Sequence, residues 1–265
     1  MTMLPPVVPP LPHQERWSRH IAPATAFTWL AQGWRDFSVK PLPSLAIGLI
    51  VFAVSLFVVG GMLYLGWDYL LFPALAGFMI VGPILAMGLY EKSRCLTRGE
   101  PVDTRGMFFV QAASGGQTLF IGVLLCLLML LWMRAAVIIY ALFFGFLPFP
   151  GLDHIARVLF TTTRGWCMLL VGTAVGGIFA AFSYAISALS PQMLLDRRLD
   201  ALTAMGSSLA LVSKNLPVML TWAAIVLGLV LASVATGLVG LVVVFPILGH
   251  GSWHAYKALA SKEGA

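Results

Sequence analysis

Apolar residues in this chain gather into long blocks separated by short polar connections. The first block runs from Leu42 to Gly66, and a very short turn, Trp67-Asp68-Tyr69, leads into a second from Leu70 to Tyr90. A third begins near Thr118 and stays apolar to Met133; a fourth covers Trp166 to Leu189. A fifth starts at Pro217, and a sixth follows a glycine-marked turn near Gly237 and ends around Tyr256. Each block is on the scale of the roughly 20 residues a helix needs to cross hydrocarbon. The pattern predicts an all-α, polytopic transmembrane helical bundle of about six spans.

One segment resists this division. Ala135 to Gly151 is as apolar as a span, but it follows Arg134 directly and contains two prolines near its end. Counted as a span it would make seven. It is expected to prolong the third helix or to lie in the outer interface; re-entry would need burial of its backbone in protein.

Composition supports a membrane setting. Of 265 residues, 60% are hydrophobic and 10% charged, against about 25% charged in soluble domains. The net charge of +6 is distributed, not clustered. With six spans, 13 of the 16 Lys and Arg residues fall on one side, Arg157 and Arg164 on the other, and Arg134 between them. Positive loops stay cytoplasmic, so a bacterial inner-membrane protein with both termini cytoplasmic is expected. Such dispersal does not make a nucleic-acid footprint.

The domain plan is simple. Residues 1–24 form a proline-rich arm carrying Pro5, Pro6, Pro9, Pro10 and Pro12; 25–260 form the transmembrane domain; 261–265 are a tail. No apolar run near the start serves as a secretory signal. Thr25–Ser38 and Gln192–Lys214 are expected to be amphipathic helices in the headgroup layer. The hairpins that follow them resemble each other. Lys40-Pro41-Leu42-Pro43 matches Lys214-Asn215-Leu216-Pro217, and Pro83-Ile84-Leu85 matches Pro246-Ile247-Leu248. Both hairpins have the same orientation, as in a parallel repeat; convergence on ordinary membrane-helix composition gives the same pattern.

Candidate chemistry is sparse. Gly172, Gly176 and Ala180, and Gly228, Ala232, Thr236 and Gly240, recur every fourth position and read as internal packing faces, with homo-oligomerisation the alternative. Arg134 reads as an outer-interface residue if the third span ends there, or as a buried functional charge if it does not. His250 and His254 lie four apart on one helix face, a spacing that can hold a metal, although no carboxylate or cysteine is adjacent in sequence. Cys95, Cys126 and Cys167 match no metal or disulfide spacing. Pro83 and Pro246 each remove a helical hydrogen bond. They are expected to bend their helices near Met79 and Val242 and to mark the mid-membrane site of the chain. Nucleotide-binding loops, nucleophile elbows and paired carboxylates are not recognised, and no cofactor is assigned.

The runs GFMIVGPILAMGLYEKSR, LLWMRAAVIIYALFFGF and FPILGHGSWHAYKAL resemble a family of uncharacterised bacterial integral membrane proteins. The resemblance covers about residues 25–260 and implies a bacterial inner membrane. Some family members bear the label of cytochrome c oxidase subunits. The helix-borne histidines that two haems and a copper would need are lacking in this chain, whereas an accessory subunit without its own cofactor is compatible.

Three functions follow. The first is a non-enzymatic scaffold or accessory subunit of a membrane complex, in contact with lipid and with protein partners or further copies of itself. The second is a small-molecule transporter or channel on the hairpin repeat. The third is a metal- or haem-binding redox protein resting on His250 and His254.

Overall fold

The computed structural model describes residues 21–145 and 151–260. The proline-rich arm falls almost wholly outside the described residues, as does the tail 261–265. Among the described residues the chain is helical throughout: α1 (Thr25–Ser38), α2 (Pro41–Tyr64), α3 (Leu71–Leu85), α4 (Met87–Arg98), α5 (Thr104–Phe108) and α6 (Gly115–Phe144). These are followed by α7 (Leu152–Thr161), α8 (Thr163–Ser187), α9 (Ser190–Asp196), α10 (Ala201–Lys214), α11 (Leu216–Ala235) and α12 (Leu241–Ala260).

Local chemistry sets many of the boundaries. Pro41 opens α2 and Pro217 lies in the first turn of α11, where a missing N–H leaves no helical bond unmade. Asp103 caps α5, Thr162 caps α8 and Asp200 caps α10, each side chain accepting from a backbone N–H of the first turn. Gly99, with φ of 69°, closes α4.

Five helical runs are long and apolar enough to cross a membrane: Pro41–Tyr64, Asp68–Arg98, Gly115–Phe144, Thr163–Asp196 and Leu216–Ala235. The sixth expected span is helix α12, which is 20 residues long but is not among these five. Its second half, GHGSWHAYKALA, carries too many polar side chains. The structure gives it a different place. Twelve of its residues are buried, from Leu241 to Ala260, and it packs on α1, α2, α4 and α11. The helix is enclosed by these four, while the apolar α6 packs on α3 and α8 beside them. Phe57, Leu142 and Leu170 remain 81%, 75% and 70% exposed. Surfaces that apolar would be a liability in water and are what lipid solvates.

Backbone contact closes the centre. A Cβ at Gly33 of α1 would lie 2.5 Å from the carbonyl oxygen of Ile247 and 2.7 Å from the nitrogen of Gly251. Gly48 of α2 sits equally tightly against the Val242 carbonyl and the Pro246 ring. Trp29 and Trp222 meet edge to face beside this seam, ring centroids 6.0 Å apart.

Several expectations need correction or refinement. Helix α6 runs unbroken to Phe144, so Ala135–Phe144 prolongs the third helix and Arg134 lies inside it; residues 146–150 are outside the described set. Gln192–Lys214 is two helices, α9 and α10, broken at Arg197–Asp200, and both bury residues in the main core. The small-residue stripes are only partly internal. Gly176 packs on the Trp132 ring and Gly240 on Ser233, whereas a Cβ at Gly172 or Gly228 would meet nothing within 4 Å. Ala180, Ala232 and Thr236 are exposed. A period of four identifies a helix face without saying what it faces.

Candidate functional site

The close approach of α1 to α12 aligns polar residues that are far apart in sequence. His250 and His254 stand one turn apart on α12, and His254 Nε2 lies 2.8 Å from Asp36 Oδ2 on α1. The Ser93 hydroxyl on α4 donates to the same Asp36 oxygen at 2.7 Å. Ser93 Oγ is also 2.8 Å from His250 Nδ1. The other nitrogen of that ring, Nε2, is 3.1 Å from Ser44 Oγ on α2. Ser44 accepts from Lys92 Nζ at 2.8 Å, and the ammonium also donates to the Lys40 carbonyl at 3.1 Å. Lys40 supplies that carbonyl from the α1–α2 junction, where its φ is 48°.

The result is a continuous polar chain, Lys92–Ser44–His250–Ser93–Asp36–His254, through the seam where α12 packs on α1, α2 and α4. Lys92, Ser44, His250 and Ser93 have no exposed surface, and Asp36 is 6% exposed. Burial of such groups is costly unless each is partnered, and each member here is bonded to its neighbours. Burial alone would raise the Asp36 carboxyl. The hydrogen bonds from His254 and Ser93, with the adjacent imidazoles, outweigh it and hold the group below its ordinary value.

A second cluster ties down the ends of α4, α9 and α12. Asp196 accepts from Arg98 at 2.8 Å and from the Tyr256 hydroxyl at 2.9 Å, with Lys257 Nζ at 3.6 Å. Arg197 donates to the Ala260 carbonyl at 2.8 Å, and the Trp253 indole N–H donates to Thr97. Arg98 is 44% exposed, so its ion pair adds little to stability.

The residues singled out from sequence fall in different places. His250 and His254 belong to the polar chain. Both nitrogens of His250 are engaged by serine hydroxyls, and among the described residues no group of three or more His, Cys, Asp or Glu is arranged to hold a metal. Arg134 is exposed on α6 and is not part of the chain. Pro83 lies inside α3, which stays helical through it and ends at Leu85, with Ala86 leading into α4. Pro246 is in the second turn of α12, and the carbonyl its missing N–H leaves free, that of Val242, abuts Gly48.

Asp36, Ser44, Lys92 and Ser93 were not legible as site residues. For Asp36 a signal existed. The buried face of α1 is Ala26, Trp29, Gly33, Asp36 and Phe37, which places the carboxylate in line with the apolar stripe. Lys92 falls beyond the second apolar block, which ends at Tyr90, and so counted among the basic residues of the following connection.

The architecture is that of a polytopic helical membrane protein, with α12 buried against α1, α2, α4 and α11. Residues 71–196, from α3 through α9, match the family model described as "Predicted integral membrane protein (DUF2189)", and over that stretch the chain is similar to this uncharacterised membrane-protein family. The match is narrower than the resemblance read from sequence. It includes Lys92 and Ser93 but not α1, α2 or α12, which supply the rest of the polar chain. The comparisons with curated proteins and with solved structures found no match.

Proposed function

We propose that this protein is a scaffold or accessory subunit of a bacterial inner-membrane complex, possessing no catalytic centre of its own and keeping both termini in the cytoplasm. One observation carries the reading: the buried polar side chains where α12 meets α1, α2 and α4, namely Lys92, Ser44, His250, Ser93 and Asp36, are bonded to one another. A site built for an external substrate leaves some of its polar groups to be completed by that substrate. The seam between α2 and α12 is closed by backbone contact at Gly48, which leaves no space there for a transported molecule. The same central packing makes a rigid inner core from which α2, α6 and α8 extend apolar faces into the bilayer. The run Gly115–Phe144 is the least covered, with only 11% of its most apolar window buried. Such faces suit association within the membrane, where close packing between helices drives assembly.

The test is extraction of the full-length chain in mild detergent without crosslinker, followed by native mass spectrometry with the tag placed on each partner in turn. A membrane partner retained at fixed stoichiometry from both directions supports the reading. Repeated isolation of a bare monomer contradicts it.

A further inference from the structure

The hydrogen bonds of the buried chain run in one direction. Ser93 has a single hydroxyl proton, which it donates to Asp36 Oδ2 at 2.7 Å. Its oxygen must then accept from His250 at 2.8 Å, which places a proton on Nδ1. In the neutral ring Nε2 is therefore bare and accepts the Ser44 hydroxyl proton at 3.1 Å. Ser44 in turn accepts from Lys92 at 2.8 Å. Each link donates towards the carboxylate, from an ammonium at one end to Asp36 at the other.

We infer that these residues form a proton relay between Lys92 and Asp36, with His254 as its opening to the aqueous edge. The balanced step moves four protons by one bond each. Lys92 Nζ passes a proton to Ser44, Ser44 passes its own to His250 Nε2, His250 passes Nδ1–H to Ser93, and Ser93 passes its proton to Asp36 Oδ2. Lys92 becomes a neutral amine and Asp36 a neutral acid; the intermediates end neutral, and net charge is unchanged. The reverse shift restores the ion pair. His254 exchanges a proton with Asp36 across 2.8 Å, and its side chain is 18% exposed, whereas the interior members are sealed from solvent.

The surrounding helices add few competing groups. Within the chain, Asp36 comes from α1, Lys92 from α4, and His250 and His254 from α12. Helix α2 contributes Ser44 and α11 the neutral Trp222 at the same seam. Glu91 and Arg94 of α4 pair with each other at 2.8 Å, and Lys257 of α12 faces Asp196. Chains of His and carboxylate groups are the usual material of proton relays in membrane proteins. This inference is independent of the accessory-subunit reading, since a bare monomer could carry the same relay.

The experiment uses the full-length protein in lipid nanodiscs with nitrogen-15 histidine and lysine. Near neutral pH, His250 is expected as the neutral ring protonated at Nδ1, with Nε2 accepting. A ring protonated at Nε2, or doubly protonated, overturns the direction of the chain. Deuterium exchange at His250 Nδ1 is then compared in the wild type, S93A and S93T. Loss of the hydroxyl is expected to slow exchange about a hundredfold, the scale on which a positioned acid–base group acts, and S93T is expected to restore it. Unchanged exchange in folded S93A overturns the relay. If S93A does not fold, the wild-type tautomer and the exchange of Lys92 in S44A decide the matter on the same criteria.

Discussion

Replacing Asp36 with alanine removes the single carboxylate of the buried chain. Asp36 is 6% exposed and accepts from Ser93 at 2.7 Å and His254 at 2.8 Å. Hydrogen bonds to a charged group contribute about 1.5–3 kcal/mol each, and removing one partner of a buried charge pair costs about 3–5 kcal/mol. These are two views of one loss and are not to be added; D36A is expected to cost about 4 kcal/mol. D36N keeps an acceptor for Ser93 and is expected to cost about half as much, because one neutral hydrogen bond of about 1 kcal/mol survives. Lys92 is left without its counter-charge in either variant. The double variant D36A/K92M should therefore be more stable than the sum of its single losses by about 1 kcal/mol or more, the coupling of residues in one network. Reversible unfolding in bicelles measures all four proteins. A D36A variant within about 0.5 kcal/mol of wild type, the range of ordinary surface substitutions, would refute the claim that this carboxylate balances the buried ammonium.

The pH dependence has a defined sign. The folded-state value of Asp36 lies below its unfolded value of about 3.9. The stability it contributes is thus complete above that value and lost as pH falls through the folded one. The difference in unfolding free energy between wild type and D36N should be flat from neutral pH down to about 5 and shrink below about 4. At the glycine seams, G48A drives a Cβ into the Val242 carbonyl with backbone on both sides, and a loss of about 2–3 kcal/mol is expected. G228A meets open space and should be neutral or up to about 1 kcal/mol stabilising through helix propensity; a clear loss would mean that this face is covered by another chain. In a background without Cys95, Cys126 and Cys167, a thiol introduced at Asp153 should react with an impermeant reagent from the periplasmic side. Thiols at Glu100 and Asp200 should not, and labelling at Glu100 would overturn the orientation.

Much of the fold could be read from the apolar blocks, because length and hydropathy suffice to find helices that face lipid. The helix that faces protein was harder. The stretch from near Gly237 to around Tyr256 looked like one more span. Its central place depends on Gly33, Gly48 and Gly251, whose importance lies in what approaches them. The sequence left two expectations for the segment after Arg134, prolongation of the third helix or a place in the outer interface, because a charge there can read as a boundary; the helix continues through that exposed charge to Phe144. Of the site, the two histidines were recognised by their spacing of four. Their partners were not, since the contacts that matter span 48 positions from Lys92 to Ser44, 57 from Ser93 to Asp36 and 206 from Ser44 to His250. The missing information was which helices touch, and no local pattern carries it.

The central claim is that α12 is a buried polar helix held by α1 through Asp36. Solid-state nuclear magnetic resonance on the full-length protein in lipid bilayers tests it directly, with carbon-13 at Asp36 Cγ and nitrogen-15 in the histidine rings. The 2.8 Å contact between Asp36 Oδ2 and His254 Nε2 puts the labelled carbon within about 4 Å of that nitrogen, given ordinary hydrogen-bond geometry. Dipolar recoupling should show this short distance in wild type and lose it in H254F. A wild-type spectrum with no histidine nitrogen near Asp36 Cγ would contradict the account.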